Sequence, residues 1–134
     1  MAAGDWKAIK HFLPTEFAAP EQMGVDFVFW LDTVRETAGV PMHLSSSYRT
    51  PAHNKEIGGA ADSAHCDSPC NAVDIAKTPT ADDPHWNVAR GRIVRAAYAA
   101  GCVRVGFYPN GALHLDRTED RRPAALWNAV DVKA

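Results

Sequence analysis

The sequence predicts an α+β fold in which helices pack on a small antiparallel sheet. Apolar residues recur at three- and four-residue spacing in two stretches, near residues 20–38 and 83–100. Short apolar runs lie on either side of the second stretch. The last two of these runs are joined by Pro109-Asn110-Gly111, a strong turn signal that suits antiparallel pairing.

Pro14, followed by Thr15 as a cap, predicts a short helical turn near the start. The first long helix is expected from about Pro20 to Ala38. Met23, Phe27, Leu31 and Val34 form its buried stripe, and Gly39 ends it. Pro41 follows, and Met42 to Ser46 reads as a strand. Thr50-Pro51 has the form of an N-cap followed by a first-turn proline, and Gly58-Gly59 closes that helix. Ala60 to Pro69 is irregular. Asn71 to Ala76 is a short apolar strand interrupted by Asp74. Asp83-Pro84 opens a second long helix to about Ala100, with Trp86, Ile93, Val94, Ala97 and Tyr98 buried. Val103 to Tyr108 and Ala112 to Asp116 read as strands. Pro123 to Val130 is expected to be a last helix, anchored by Leu126 and Trp127.

A chain of 134 residues fits one domain, and it is long enough to fold without help from a metal or disulfide. Its 46% hydrophobic and 22% charged residues are those of a globular protein. Fourteen basic and sixteen acidic residues leave a net charge of −2 with no basic run, so nucleic acid is not an expected partner. No apolar run approaches a membrane span. The opening Met1 to Trp6 lacks the basic-then-apolar order of a secretory signal. The expectation is a monomer made in the cytoplasm that acts there or leaves by another route. Three cysteines are too few for a disulfide framework, although Cys66 and Cys70 are close enough in sequence to pair.

Three polar residues fall where a strand or its approach should be apolar: His65, Asp74 and His114. A lone carboxylate buried in Ala-Val-Asp-Ile-Ala would cost several kcal/mol or keep its proton. A divalent metal held by two imidazoles and that carboxylate removes the difficulty and leaves a fourth position for water. His114 and Asp116 are two apart on a strand and share a face, whereas Leu113 and Leu115 face the core. Taken singly, a structural His–Asp pair explains the same residues, and spacing does not decide between the two.

The order of motifs is more specific. Ser45 to Asn54 reads Ser-Ser-Ser-Tyr-Arg-Thr-Pro-Ala-His-Asn. Then come Gly58-Gly59, Ser63-Ala-His65, Ala72-Val-Asp74-Ile75, Val105-Gly-Phe-Tyr108 and His114-Leu-Asp116. Over nearly its whole length the chain resembles the zinc D-alanyl-D-alanine carboxypeptidase and L-alanyl-D-glutamate endopeptidase family, whose fold is shared by the Hedgehog signalling domain. The stretch from His11-Phe12 to Glu16-Phe17 and the late Trp127 are similar to the branch found in phages and prophages.

The resemblance implies Zn2+ held by His65, Asp74 and His114. It implies that Arg49 binds a carbonyl or carboxylate oxygen of the substrate. Ser47 and Tyr48 are near enough to Arg49 in sequence to shape the substrate groove, and strand-end packing explains them equally well. It also implies peptidoglycan stem peptides as substrate, cut at D-Ala-D-Ala, at L-Ala-D-Glu or at a cross-bridge. A phage lysin or an exported cell-wall peptidase fits these expectations.

Two departures stand out. His65 and Asp74 are nine apart where the family usually has seven, and the extra length falls in Cys66-Asp-Ser-Pro-Cys70. Those cysteines could clip the loop, stay inert, or compete for zinc. The acid that many relatives carry just before the last histidine is missing from Pro109-Asn-Gly-Ala112. Asp116 is the nearest carboxylate, as general base or as the residue that orients His114, with Asp62 and Asp67 as outside candidates. The missing acid also fits an alternative, a metal-binding module of the same fold without hydrolysis, such as a phage structural or cell-wall-binding protein.

Overall fold

A computed structural model describes residues 1–77, 85–101 and 104–118, and the backbone of 126–128. It is α+β, as expected. The sheet follows the order β1-β2-β4-β3-β5, made of Leu44–Ser46, Ala72–Ile75, Leu113–Asp116, Arg104–Phe107 and Leu126–Asn128 in that spatial sequence. The first four strands pair antiparallel. The helices are α1 (Val25–Ala38), α2 (Pro51–Glu56) and α3 (His85–Ala99).

Strand register sorts the side chains onto two faces. Val73, Leu115 and Val105 lie side by side, as do Ile75, Leu113 and Phe107. This apolar face joins the buried stripes of α1 and α3 in one core, with Phe27, Leu31 and Val34 from the first and Trp86, Ile93 and Ala97 from the second. The two helices pack against each other, and the Trp30 indole donates to the Ala100 carbonyl at 3.2 Å. The alternate register positions carry Asp74, His114 and Gly106 in one row, and Ala72, Asp116 and Arg104 in the next. One period-two rule therefore separates the core from a polar face.

Two expectations about elements are corrected and one open alternative is decided. The first helix starts at Val25. Pro20–Gln22 is only a single 3-10 turn. The backbone at 22–24 bonds sideways to Cys70 instead of along a helix: Cys70 N–H donates to Gln22 O, and Gly24 N–H donates to Cys70 O, both at 2.8 Å. Gly24 is held so closely that a Cβ there would lie 2.0 Å from Asn71 Oδ1.

Second, Leu126–Asn128 is a strand, not helix. It pairs parallel to β3, with Val105 beside Leu126 and Phe107 beside Asn128. The free edge of β3 offers unpaired backbone groups, and local helix propensity does not register that demand. The rest of the expected tail helix, and the expected start of α3 at Asp83-Pro84, lie outside the described residues. So does Val103. Third, no disulfide joins Cys66 and Cys70.

Tyr98, expected in the buried stripe of α3, is 40% exposed, and Ala96 is buried in that helix instead. Several local expectations match. Gly39 ends α1 in the left-handed region at φ 66°. Thr50 caps α2 by accepting from His53 N–H, with Pro51 in the first turn. Gly111 takes φ 95° in the β3–β4 turn. No helix among the described residues is long and apolar enough to cross a membrane.

Candidate metal centre

Asp74 on β2 and His114 on β4 are direct cross-strand partners, so the sheet register itself sets the two side chains against each other. His65 comes from outside the sheet, on the short 3-10 turn Ala64–Cys66. Ser63 caps that turn by accepting from His65 N–H at 3.2 Å. Two further bonds tie it to the segment after β1. Arg49 N–H donates to His65 O at 2.8 Å, and the His65 ring donates from Nδ1 to Ser47 O at 2.6 Å. The two extra residues before Asp74 are accommodated in the loop that returns through Cys70. They do not displace His65 from the site.

The three side chains converge. His65 Nε2 lies 3.2 Å from Asp74 Oδ1 and 3.2 Å from His114 Nδ1, and His114 Nδ1 lies 3.0 Å from Asp74 Oδ1. All three are buried, at 1%, 4% and 6% exposure. Neither Cys66 nor Cys70 belongs to this donor group, and neither do Asp62 and Asp67.

The outer ring nitrogens decide what the inner ones can do. Ser47 O is an acceptor only, so His65 Nδ1 carries the proton facing it. On the opposite side, His114 Nε2 donates to Asp116 Oδ2 at 2.6 Å. In the neutral rings both inner nitrogens are then bare lone pairs, aimed at each other and at a carboxylate oxygen. Such a triangle is repulsive unless a cation occupies it. Ligands on a tetrahedral zinc, at ~2.0–2.1 Å each, stand about 3.3 Å apart. The observed separations match that spacing, so the residues fit a divalent metal and leave a fourth position open.

Without a metal, a proton meets the same demand. Burial drives the His114 pKa down, but hydrogen bonds and charge from Asp116 and Asp74 outweigh it and raise it above the ordinary histidine value. Burial pushes the Asp74 carboxyl up, yet His114 and His65 hold it well below the usual carboxylate range. Asp116 is likewise held low against its burial, by His114 and Thr118.

A family profile described as peptidase M15 matches residues 10–116. The chain belongs to the peptidase M15 family. That is the family of the zinc D-Ala-D-Ala carboxypeptidases, and its members are metal-dependent. No curated protein and no solved structure matches the chain.

In this M15 chain, the residues around the metal donors take roles that differ in part from those the resemblance implies. Arg49 is 4% exposed, and each of its three guanidinium nitrogens has a partner. Nη2 binds Asp74 Oδ2 at 2.8 Å, Nη1 binds Asn54 Oδ1 at 3.1 Å, and Nε binds Ser46 Oγ at 2.9 Å. It holds the Asp74 carboxylate in place. Ser47 is buried, with its hydroxyl accepting from Ala18 N–H at 2.9 Å and its carbonyl on His65. It supports His65. Tyr48 is half-buried and packs against the core.

Asp116 lies behind the His114 ring, on the side away from Asp74 and His65. It is fully buried, and Thr118 bonds its other oxygen through both hydroxyl and backbone, at 2.8 and 3.2 Å. Arg104 Nε lies 3.4 Å from that oxygen.

The sequence reading assigned no role to Tyr108. Its hydroxyl donates to Asp74 Oδ1 at 2.9 Å, the same oxygen that both imidazoles face. Only the sheet register reveals it: Tyr108 is two residues beyond Gly106, the register partner of His114, and so falls on the polar face.

Proposed function

We propose that this M15 peptidase is a zinc-dependent hydrolase of peptide bonds in peptidoglycan stem peptides or cross-bridges, acting as a D,D-carboxypeptidase or endopeptidase at the cell wall. The observation that carries the proposal is the convergence of three lone-pair donors whose outer N–H groups are locked away from the centre. Family membership supports peptide hydrolysis. The substrate class follows from the resemblance of the ordered motifs.

When bound, zinc would supply Lewis acidity, acidifying water and polarising a carbonyl oxygen. The chain's own residues prepare for that. Ser47 O and Asp116 fix the tautomers of His65 and His114 so that both present a lone pair inward. Arg49 orients Asp74 through Oδ2 and leaves Oδ1 for the metal. Asp116 serves as the orienting partner of His114. Its place behind the ring keeps it from a water on the open side, which argues against the general-base role.

That same placement favours a second reading, a metal-binding module without hydrolysis. Mass spectrometry of purified peptidoglycan, incubated with the protein with and without chelator, separates the two. Chelator-sensitive release of shortened stem peptides is the expected result, and the fragment masses name the bond. Intact peptidoglycan after incubation with zinc-loaded protein would favour the binding module.

A further inference from the structure

We propose that Tyr108 donates a hydrogen bond to the scissile carbonyl oxygen of the substrate as it becomes an oxyanion, a task the resemblance gives to Arg49. The inference rests on the hydrolytic reading above and deepens it.

Two observations at Asp74 lead there. Arg49 is buried, and each of its three guanidinium nitrogens has a partner within the fold. Moving it onto a substrate would strip the buried Asp74 of its cation and leave Asn54 and Ser46 to find new partners. Tyr108 Oη sits 2.9 Å from Asp74 Oδ1, the oxygen that faces both imidazoles. Among the described residues that hydrogen-bond the side chains of the triad, Ser47, Arg49 and Asp116 are buried and Tyr108 is half-buried. Its side chain therefore joins the buried centre to a part of the ring that solvent reaches.

The hairpin makes this position rigid. Tyr108 N–H donates to Ala112 O at 3.0 Å, and Gly111 N–H donates to Tyr108 O at 2.9 Å. The ring is fixed before the reaction, beside the place where negative charge develops, and only its one O–H has to turn from Asp74 Oδ1 to the oxyanion. The phenol acts as a neutral donor, and its proton stays on the oxygen throughout.

The test compares wild type with Tyr108→Phe, which removes one oxygen and keeps the ring. Metal content and metal affinity are measured first, by mass spectrometry and chelator competition. Affinity for a phosphinic dipeptide analogue of D-Ala-D-Ala follows, since its tetrahedral oxygens mimic the oxyanion. Then kcat and KM are measured on stem peptides.

The proposal expects unchanged metal stoichiometry and metal affinity within about threefold. It expects kcat to fall by ~10²–10³ with KM nearly constant, and phosphinate affinity to fall by at least ~10-fold. Equal phosphinate binding by the two proteins overturns it, as does failure of the wild type to bind the phosphinate. A loss of metal that accounts for the whole loss of activity also overturns it, reducing Tyr108 to a clamp on Asp74. If the wild type cleaves no cell-wall peptide, the hydrolytic reading fails, while the phosphinate comparison still reads the hydrogen bond.

Discussion

His114 sits between two carboxylates, and each does something different to it. Asp74 Oδ1 faces Nδ1 at 3.0 Å and shares the metal-binding point with it. Asp116 Oδ2 takes the Nε2 proton at 2.6 Å and decides which nitrogen is free. Thr118 holds Asp116 in turn. A metal-binding histidine whose far nitrogen is so anchored gains basicity and a fixed ring plane. Asp116→Asn keeps the shape and removes the charge. Its amide can also present N–H to the ring and so favour the wrong tautomer. Zinc affinity should drop ~10–100-fold in chelator competition, with the fold intact by circular dichroism. Affinity equal to wild type would show that Asp116 does not govern the ring. His65 and Asp74 were legible in the sequence because each interrupts an apolar or strand-like setting. Tyr108 was not, because a tyrosine at a strand end fits a half-buried surface equally well.

Among the elements, α2 shows how the site depends on a piece of backbone far from the metal in function but adjacent in space. Asn54, in this helix, accepts from Arg49 Nη1 at 3.1 Å and donates through Nδ2 to Ala60 O at 2.7 Å. Gly59 lies against it: a Cβ there would stand 2.0 Å from Asn54 Oδ1 and 2.7 Å from Cγ. Gly59→Ala should therefore push Asn54 off Arg49 and loosen the Asp74 clamp. The expected cost is about 1–3 kcal/mol in a urea melt, together with a measurable fall in metal affinity. A variant as stable as wild type would mean that Asn54 moves freely and is no part of the clamp. The sequence marked Gly58-Gly59 only as a helix end. Close approach of one side chain to another segment's backbone leaves no local trace, so the second reason for Gly59 was invisible there. The misplaced start of α1 has the same origin, since residues 22–24 satisfy their backbone on Cys70, a partner nearly fifty positions away.

For the whole molecule, the apolar face of the sheet and the two long helices form a core separate from the polar face. Leu31, Val73, Ile93, Leu113 and Leu115 are fully buried there, and none is a metal donor. Removing the metal should leave that core standing. Excess chelator is expected to leave far-UV circular dichroism unchanged at 25 °C. It should lower Tm by roughly 10 °C relative to protein at ~100 times its metal Kd, where bound ligand adds about 2.7 kcal/mol. Collapse of the helical signal on chelation would show instead that the metal is needed to fold.

The sequence by itself determined the fold class, most of both long helices and the β3–β4 hairpin, through local period and turn chemistry. Its ordered motifs, through the family resemblance, pointed to His65, Asp74 and His114, the residues that could hold a metal. Only the tertiary structure decided what surrounds those donors. It buried Arg49 among three partners, set the Ser47 carbonyl on His65, placed Asp116 behind His114, brought Tyr108 to Asp74 and drew Leu126–Asn128 onto the edge of β3. Each outcome depends on which backbone or side chain from a distant segment satisfies a buried polar group. That is fixed by packing in three dimensions, and no spacing along the chain encodes it in readable form.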